Sequence, residues 1–531
     1  MKKYKNYFMN LIIPAFVFGS ITGILTSAVV TLYKLCAKYV IALSEAGYEY
    51  LRGHLYFIPL VLLALAGISF LFAYIYKKTP NLQGGGIPTS IGVLRGIITF
   101  KWVRNLLGTF FMSLTSFLVG VPLGNEGPCV QMGTAIGRGS VYTLAGKKRA
   151  WDRYTMTGGA CSGFSAATGA PISGIMFAIE EAHQRLSPMI IIVSATSVMF
   201  ARITTELLAP ICGVSIDLFP QMSLISLSVK DVWIPLVVGI VIGLFAVLFL
   251  HLYKLINDLF TRVLNKVPHQ YKILSVMTLT LIAGLISFSF ISTGHDLILE
   301  LIDGKIAVYM LILVLLVRSI LTICANSNGI TGGMFIPILA LGATLSSIVG
   351  KAIQGIFSLD NSYYVIVLVL GITACISSMM KTPLTAIFFA VEALSCYENI
   401  LYVVVVATVA FMITEVFGAK SINDSVLDNR VEEMNEGKSS RVIDTFVTVK
   451  KNAFAIGKQI RDIFWPANLF VLSLQHDETK GAEVDEHGGK AIREGDILHV
   501  RYSTYDEVST REELTAIVGS QEYDEKEAEV I

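Results

Sequence analysis

Nine apolar segments, each as long as a membrane-spanning helix or nearly so, constrain the first 418 residues more than any other feature. They lie near 8–33, 56–76, 105–122, 189–208, 232–253, 273–293, 307–324, 362–378 and 400–417. Hydrocarbon offers no hydrogen-bond partners, so a chain that crosses a bilayer must form helices or a closed barrel. The length of these segments is typical of helices. The sequence therefore predicts an all-α polytopic membrane protein.

Composition agrees with this class and excludes others. Hydrophobic residues make up 54% of the chain and charged residues 15%, and the net charge is +1, so we expect no nucleic-acid surface. The seven cysteines are scattered without metal-ligand spacing, and no H-E-x-x-H or G-x-S-x-G motif is present. We therefore expect no metal site, no cofactor and no enzymatic activity.

Shorter helices, interrupted by glycine and proline, lie between the long segments. They are predicted at 127–144, 155–169, 171–183, 334–354 and 383–396. Broken helices at membrane depth are tolerated only where they line a cavity or pack inside the protein. This pattern favours a transporter or channel over a receptor bundle.

The sequence repeats itself weakly. Residues 171–180 (PISGIMFAIE) resemble residues 383–392 (PLTAIFFAVE), 212 positions later. Pro128 with Gly133 recurs as Pro337 with Gly342, 209 positions later. The similar offsets predict two homologous halves, a common organisation of transporters whose binding site lies near the midplane. The spacing alone leaves open whether the halves are parallel or inverted.

Three glycine-rich breaks, at 84–88, 124–128 and 332–337, each place glycines before a proline that can open a helix. If the three helix starts converge, their N–H groups form an anion site without a full cationic charge. Glu126 brings a carboxylate to the second break, and an ionisable side chain at membrane depth indicates function. The alternative is an interfacial loop with a solvated Glu126.

The three breaks resemble signatures of the CLC family of chloride channels and proton-coupled chloride antiporters. Residues 124–128 (GNEGP) resemble its G-x-E-G-P motif, and residues 333–337 (GMFIP) its G-x-F-x-P motif. Residues 84–88 (GGGIP) resemble G-S-G-I-P, with Gly85 where serine is usual. The resemblance runs from the first helix to about residue 430. It implies inverted-repeat halves, a homodimer with one anion pathway per subunit, and a cell-membrane protein with both termini in the cytoplasm.

The resemblance also implies roles for single residues. Glu126 matches the gating glutamate, and Glu181 matches the internal proton-transfer glutamate of the antiporters. Asn423 stands where the family has its inner-gate tyrosine. The implied anion-binding positions are Gly85, Gly124, Asn125, Gly127, Phe335 and Ile336. From the residues alone, the alternative for the segment 180–183 is a solvated acidic helix end, because paired charges at helix ends are often surface features.

Three transport activities follow as expectations. Glu181 favours chloride/proton antiport gated by Glu126. The missing tyrosine at Asn423 favours a passive chloride channel on the same fold. A fluoride/proton antiporter is the third, since fluoride-exporting relatives also lack both the serine and the tyrosine, although the second and third motifs are intact here.

After residue 418 the chain becomes polar. Residues 419–440 are predicted to be a linker, residues 441–520 a small cytosolic α+β domain, and residues 521–531 a disordered acidic tail. Within the domain, strands are predicted at 442–449, 468–474 and 497–502 and a helix at 454–463. A second helix, capped by Ser509 or Thr510, is predicted to run to Val518.

The small domain resembles the C-terminal (TrkA-C) lobe of regulator-of-potassium-conductance domains. The resemblance rests on its strand–helix–strand order and on the stretch 493–500 (REGDILHV). It implies dimerisation and regulation by a small ligand, including cyclic di-AMP. The aromatic residues that could stack on a base are Phe446, Phe454, Trp465 and Phe470. The alternative is a purely structural dimerisation module.

Overall fold

The structure, a computed structural model, describes residues 12–144, 149–222, 224–360, 362–435, 437–475, 491–519 and 524–530. It consists of a large helical bundle followed by a small unit with a sheet. The helices of the bundle are α1 (Ile13–Gly53), α2 (Ile58–Lys78), α3 (Ile87–Leu94), α4 (Trp102–Val119), α5 (Glu126–Leu144), α6 (Arg149–Thr168), α7 (Pro171–Met176), α8 (Pro188–Cys212), α9 (Trp233–Asp258), α10 (His269–Ile286), α11 (His295–Ile302), α12 (Val308–Ser327), α13 (Phe335–Phe357), α14 (Ser362–Met379), α15 (Pro383–Ala393), α16 (Ile400–Val416) and α17 (Ile422–Asn435). A π-helical turn, Phe177–Ala182, continues α7.

Among the described helices, nine are long and apolar enough to cross a membrane, and α15 and α16 are shorter apolar helices. Large apolar side chains such as Leu63, Phe111 and Leu248 are exposed on their outer faces, as lipid-facing residues would be. The prediction of a multi-pass helical membrane protein is confirmed. Helix α1 continues to Gly53, well past the end of the apolar segment predicted at 8–33. The prediction stopped early because it followed apolar residues, and the second half of the helix also carries polar ones.

The repeated sequence motif forms two short helices, α7 and α15, that cap each other. Glu392, at the end of α15, accepts hydrogen bonds from the backbone N–H and the hydroxyl of Ser173 at 2.9 and 2.8 Å. Glu180, at the matching position of the first copy, accepts the same pair from Thr385 at 2.7 and 2.8 Å. In this way each helix N-terminus receives a carboxylate, the charge that its dipole favours.

This reciprocal capping orients the two halves. Since the C-terminal end of each helix meets the start of the other, α7 and α15 run antiparallel. The inverted repeat that the family resemblance implied is confirmed, and the orientation that the spacing left open is decided by these contacts.

The polar segment 419–440 is not an extended linker over most of its length, because α17 occupies Ile422–Asn435. Ile422 and Val426, four residues apart, are buried and pack with Leu427 into the core of the bundle. The average composition hid this short apolar stripe, which is enough to hold a helix against the bundle.

The C-terminal unit is a four-stranded antiparallel sheet with one long helix. Its strands are β1 (Arg441–Thr448), β2 (Leu469–Gln475), β3 (Ile497–Thr504) and β4 (Asp524–Val530), in the order β2–β3–β1–β4. Helix α18 (Glu507–Val518) covers the sheet face that carries Val447 and Leu498, and its Leu514 is fully buried with them. The predicted α+β unit is confirmed, as are its three strands to within two residues.

Three details of this unit differ from prediction. Residues 454–463 form turns and a 3₁₀ segment, Ile460–Asp462, because Gly457 has φ = +83°, which no regular helix accommodates. Asp506, not Ser509 or Thr510, caps α18 by accepting from the Ser509 N–H at 3.2 Å.

The third difference lies at the acidic end. Where composition predicts disorder over 521–531, residues 524–530 form β4 on the edge of β1. The backbone of an edge strand offers a ladder of hydrogen bonds whatever the side chains of the added strand are. Residues 520–523 and 531 lie outside the described part of the chain.

Candidate functional site

The three glycine-rich breaks meet in the middle of the bundle. The N–H of Gly124 donates to the carbonyl of Gly333 at 2.7 Å, and the N–H of Gly333 donates back to Gly124 at 2.7 Å. This isolated antiparallel bridge ties the start of α5 to the start of α13. The first break joins them through the Gly84 N–H, which donates to the carbonyl of Gly329 at 2.9 Å.

Glycine is required where the breaks touch. A Cβ atom on Gly127 would overlap the carbonyl of Gly85, and a Cβ atom on Gly86 would overlap the carbonyl of Gly127. Gly86 also has φ = +75°, a conformation that residues with a side chain rarely adopt. The starts of α3 and α5 therefore approach more closely than any other residue would allow, and the predicted convergence of three helix N-termini is present.

Glu126 is fully buried at the first position of α5. Its side chain folds back over the second break, so that Oε2 lies 2.7 Å from the place of a Cβ on Gly124. The backbone amides of Glu126 and Ile336 face the carboxylate, yet neither of its oxygens completes a hydrogen bond among the described residues. A carboxylate thus lies between two helix N-termini, where their dipoles favour negative charge. Glu126 is not the solvated loop residue of the alternative interpretation.

A cavity of about 310 Å³, here named the outer vestibule, ends beside the second and third glycine-rich breaks, next to Glu126 in the chain. Asn125 and Ile336 form its inner end. Lys34, Asp217, His295 and Asp296 also line it, together with the exposed Lys38 and Glu45.

A second cavity, of about 490 Å³ and here named the tail-side vestibule, reaches the first glycine break. Gly84 and Asn326 lie at its inner end. The ionisable side chains that line it are Tyr253, His269, Lys272, Arg430 and Glu433.

The two vestibules open on opposite faces. The start of α1 lies on the side of the C-terminal unit, because Phe18 packs against Trp151, which in turn packs against Phe454 of that unit. Lys38 of the outer vestibule follows Phe18 by 20 residues on the same helix, a distance of about 30 Å at 1.5 Å per residue. The tail-side vestibule contains Glu433 at the end of α17, which leads directly into β1.

Glu181 is buried on the tail side, in the π-helical turn that continues α7. Arg95 fixes this turn by donating to the carbonyls of Glu181 and Ala182 at 2.9 and 3.0 Å. The same guanidinium pairs with Asp424 at 2.9 Å. Glu181 is therefore held inside the protein, and the alternative of a solvated helix end does not describe it.

Asn423, the predicted inner-gate position, is buried and donates a hydrogen bond from Nδ2 to the carboxylate of Glu181. The sequence did not predict this pair, since the two residues are 242 positions apart. The structure thus joins the predicted inner-gate position to the predicted proton-transfer glutamate.

Phe335 opens α13, and its side chain packs edge-on against Phe164 and Phe389, with ring centroids 5.1 and 5.3 Å apart. Its backbone N–H and that of Ile336 belong to the first turn, where amides have no partner inside the helix. These are the donors that the sequence analysis assigned to the anion site.

The four aromatic residues proposed for a regulatory ligand are not brought to one place. Phe446, on β1, stacks on His499 with ring centroids 4.4 Å apart, and Phe470, on β2, is exposed on the same outer face of the sheet. Phe454 packs against Trp151 of the bundle, and the Trp465 indole donates to the carbonyl of Ile460 at 2.9 Å. The four residues therefore do not share one pocket, and stacking of any one of them on a base stays a prediction.

Sequence reasoning missed three polar residues, Arg95, Asn326 and Arg430. Arg430 donates from its guanidinium to the hydroxyl of Thr89 and to the carbonyl of Gln83, beside the first break. A polar amide directly after the apolar segment 307–324 was a signal for Asn326. Arg95 is a single cation in the apolar stretch 91–98 (IGVLRGII), which was also a signal, whereas nothing local marked Arg430, because it lies in polar sequence. Within the part of the chain that the structure describes, no group of three or more His, Cys, Asp or Glu side chains could hold a metal ion.

A helical membrane bundle with inverted halves, in which three helix N-termini converge around a buried carboxylate and two opposed vestibules end beside the glycine-rich breaks, defines a membrane transport protein. The family model for voltage gated chloride channels matches residues 68–415. The chain belongs to this family. The match ends before the C-terminal unit.

Known relatives agree in fold and in length. The H⁺/Cl⁻ exchange transporter ClcA of Citrobacter koseri is 28% identical over 445 residues, covering 82% of this chain and 91% of the relative. The crystal structure of a slow cyanobacterial Cl⁻/H⁺ antiporter superposes with a TM-score of 0.71 at 22% identity, covering 79% of this chain and 99% of that one. A CLC-type fluoride/proton antiporter superposes with a TM-score of 0.62 at 21% identity, covering 76% of this chain and 95% of that one. These relatives are transporters, in agreement with the expectation that the chain is not an enzyme.

Proposed function

We propose that this protein exchanges chloride for protons across the cell membrane, with Glu126 as the gate and Glu181 as the internal proton-transfer group. The observation that carries the proposal is the fully buried Glu126 carboxylate, which lies between two helix N-termini, with the outer vestibule ending at Asn125 and Ile336 and the tail-side vestibule ending at Gly84. The names of the exchange transporters among its relatives support the choice of ions.

In the proposed cycle, the ionised Glu126 side chain occupies the anion site and closes the pathway. Protonation removes its charge, and the neutral side chain leaves the N–H groups of Glu126 and Ile336 to a chloride ion. The return of the carboxylate to the site expels the ion, and its proton is released to one side. Backbone donors suit this exchange, since a lysine or arginine in the site would hold chloride too tightly for release.

Glu181 supplies the second titratable group that proton coupling requires. It lies on the tail side, away from the solvent, and its carboxylate accepts from Asn423. A proton taken up by Glu181 passes to Glu126 when the gate faces inward. Chloride reaches the gate separately, through the tail-side vestibule.

Two other activities are tested by the same assay. A passive chloride channel is favoured by Asn423 in place of the family tyrosine. Fluoride/proton antiport is consistent with that replacement and with Gly85. The intact G-x-E-G-P and G-x-F-x-P motifs favour chloride.

The deciding experiment uses liposomes that contain the purified protein and a chloride gradient but no proton gradient. We expect uphill proton movement, driven by chloride and abolished when chloride is replaced by an impermeant anion. Chloride flux without proton movement would indicate the channel. Proton movement driven by a fluoride gradient but not by a chloride gradient would indicate the fluoride exporter.

We further propose that the protein is a homodimer with both termini in the cytoplasm, as the family resemblance implies. The packing of Phe18 through Trp151 onto Phe454 supports termini on one side, because it puts the start of α1 beside the C-terminal unit. Cysteine labelling from outside intact cells tests the placement. A label on Lys38→Cys but not on Phe470→Cys is the expected result.

We propose, finally, that the TrkA-C-like unit regulates transport through Phe464. This ring stacks on His183, two residues after Glu181, with centroids 4.3 Å apart. The guanidinium groups of Arg153 and Arg185 also lie over the ring, 5.0 and 4.6 Å from its centroid. A shift of the C-terminal unit would therefore move the end of the turn that carries Glu181.

Phe464→Ala tests this connection, and Phe470→Ala, at an exposed position of the same unit, is the matched control. We expect only the first to lower proton transport. Cyclic di-AMP is the proposed regulatory ligand, and calorimetric titration of the full-length protein tests it. The absence of binding would reduce the unit to a structural role.

A further inference from the structure

Asn326 presents an unused hydrogen-bond donor at the inner end of the tail-side vestibule. It lies in the last turn of α12 and is only 4% exposed. Its Oδ1 accepts from the hydroxyl of Tyr253 at 3.1 Å, which sets the orientation of the amide. Its Nδ2 is buried and has no hydrogen-bond partner among the described residues. A buried amide without a partner costs free energy, so the donor calls for a ligand.

This donor is directed at the first glycine break. Nδ2 lies 3.6 Å from the place of a Cβ on Gly85, the nearest atom to it apart from the ring of Pro88. Gly85 itself lies against Gly127, one residue after Glu126. The amide therefore lies where a side chain at position 85 would point. Gly85 is the residue between this amide and Gly127, which follows Glu126 in the chain.

The charges around this position favour an anion. The Arg430 guanidinium lies 2.9 Å from the place of a Cβ on Gly84 and is bound by two neutral oxygens, those of Gln83 and Thr89. Lys272 adds a second cation to the vestibule wall and Glu433 adds an anion.

We propose that the side-chain amide of Asn326 is an anion ligand on the tail side of the gate, and that it supplies the donor that Gly85 lacks. This inference rests on the proposed chloride transport and names a residue that determines its affinity. The amide is neutral, so it binds an anion without trapping it. The proposed donor is therefore on α12, in the second half of the bundle, and not at position 85 in the break before α3.

Chloride binding to the purified full-length protein, measured by calorimetry in chloride-free buffer, tests the assignment. Asn326→Ala removes the donor, and we expect the chloride Kd to rise about ten-fold, the effect of about one hydrogen bond. Asn326→Asp keeps the shape but replaces the donor with an acceptor, so we expect a larger rise. Asn429→Asp adds the same charge to the wall of the same vestibule, and we expect it to change the Kd much less.

A swap distinguishes a ligand from a packing residue. Gly85 does not have a positive φ, and the atom nearest to a Cβ there, Pro88 Cδ at 3.3 Å, needs to move by only a few tenths of an ångström. We therefore expect Gly85→Ser combined with Asn326→Ala to bring the Kd back to within about three-fold of wild type. A residue that matters only for packing would not be rescued by a hydroxyl on another helix.

The outcomes separate the two proposals. If wild type transports chloride and Asn326→Ala and Asn326→Asp bind it as tightly as wild type, the ligand assignment is overturned and the transport proposal stands. A loss of binding in Asn326→Ala that the swap does not reverse also overturns it. If wild type neither binds nor transports chloride, both proposals fail. Thermal unfolding of each variant checks that it is folded. If Asn326→Ala does not fold, the chloride Kd of Asn326→Asp, the variant closest in shape to wild type, decides the assignment.

Discussion

Glu126 and Glu181 are both buried carboxylates, but their surroundings are opposite in kind. Glu126 faces backbone amides and completes no hydrogen bond with any described residue, whereas Glu181 accepts from Asn423 and lies in a turn that Arg95 fixes by two hydrogen bonds. Dipoles attract a charge without committing it to one geometry, while a hydrogen bond to a buried side chain does commit it. This difference is consistent with the proposed roles, in which Glu126 moves and Glu181 stays in place.

The largest effect should come from removing the charge of the moving group. Glu126→Gln keeps the size of the side chain but cannot be ionised, so we expect proton transport to fall by about 100-fold or more while chloride still passes. Chloride-driven acidification of liposomes measures the first and chloride efflux the second. Glu45→Gln, at an exposed position of the outer vestibule, is the control. Chloride-driven proton transport that persists in Glu126→Gln would contradict the assignment, because another group would then have to be the gate.

Glu181→Gln should uncouple proton transport from chloride transport. We expect proton transport to fall by about 100-fold, because the internal acid is lost, and chloride flux to remain. Glu180→Gln is a matched control one residue away, since that carboxylate caps α15. It should lower stability by about 1 kcal/mol, measured by thermal unfolding, and leave proton transport in place. Equal loss of proton transport in both variants would contradict the assignment to Glu181.

A smaller effect is expected at the partner of the fixed group. Asn423→Ala deletes the hydrogen bond to Glu181, so the carboxylate is less well held. We expect the rate of proton transport to fall about five-fold, the equivalent of about 1 kcal/mol for one hydrogen bond. Asn429→Ala, on the same helix, should leave the rate unchanged. If Asn423→Ala raises the rate instead, Asn423 restrains Glu181 rather than supporting it.

The smallest effect concerns the contact between the C-terminal unit and the bundle, on the side of Glu181. Burial lowers the pKa of Lys458 to about 8, and its ammonium lies 3.7 Å from the centroid of the Phe454 ring. The unfolded chain has the ordinary value of about 10.5. Between pH 8 and 10.5 the unfolded state therefore binds more protons, and stability rises with pH; below pH 8 both states are protonated and the cost of the buried charge is constant.

Lys458→Met removes this dependence. We expect the variant to unfold at a higher temperature than wild type at pH 7, and the gap to narrow from pH 8 to pH 10.5. Calorimetry of both proteins over this range measures the gap. A gap that stays constant with pH would mean that Lys458 is charged in the folded protein throughout.

The helical bundle could be predicted largely from the sequence because its signals are local. Apolar length places the membrane helices, and glycine before proline marks the breaks at 84–88, 124–128 and 332–337. The 419–440 segment and the 454–463 segment were mistaken for the same reason. A stripe of two or three apolar residues packs α17 against the bundle, and a single glycine with a positive φ, Gly457, interrupts the helix predicted at 454–463. Neither feature changes the average composition of its segment.

By itself, the sequence determined the class of protein, the two-fold repeat, the position of the buried carboxylate at Glu126 and the acidic turn at Glu181. Only the tertiary structure decided that the halves are inverted, that Asn423 holds Glu181, that Phe464 packs beside the same turn, and that the Asn326 amide lies next to Gly85. Each of these contacts joins residues that are more than 200 positions apart in the chain. Helix periods and turn residues act over one or two turns, whereas such contacts depend on how whole helices pack, and no local pattern records that.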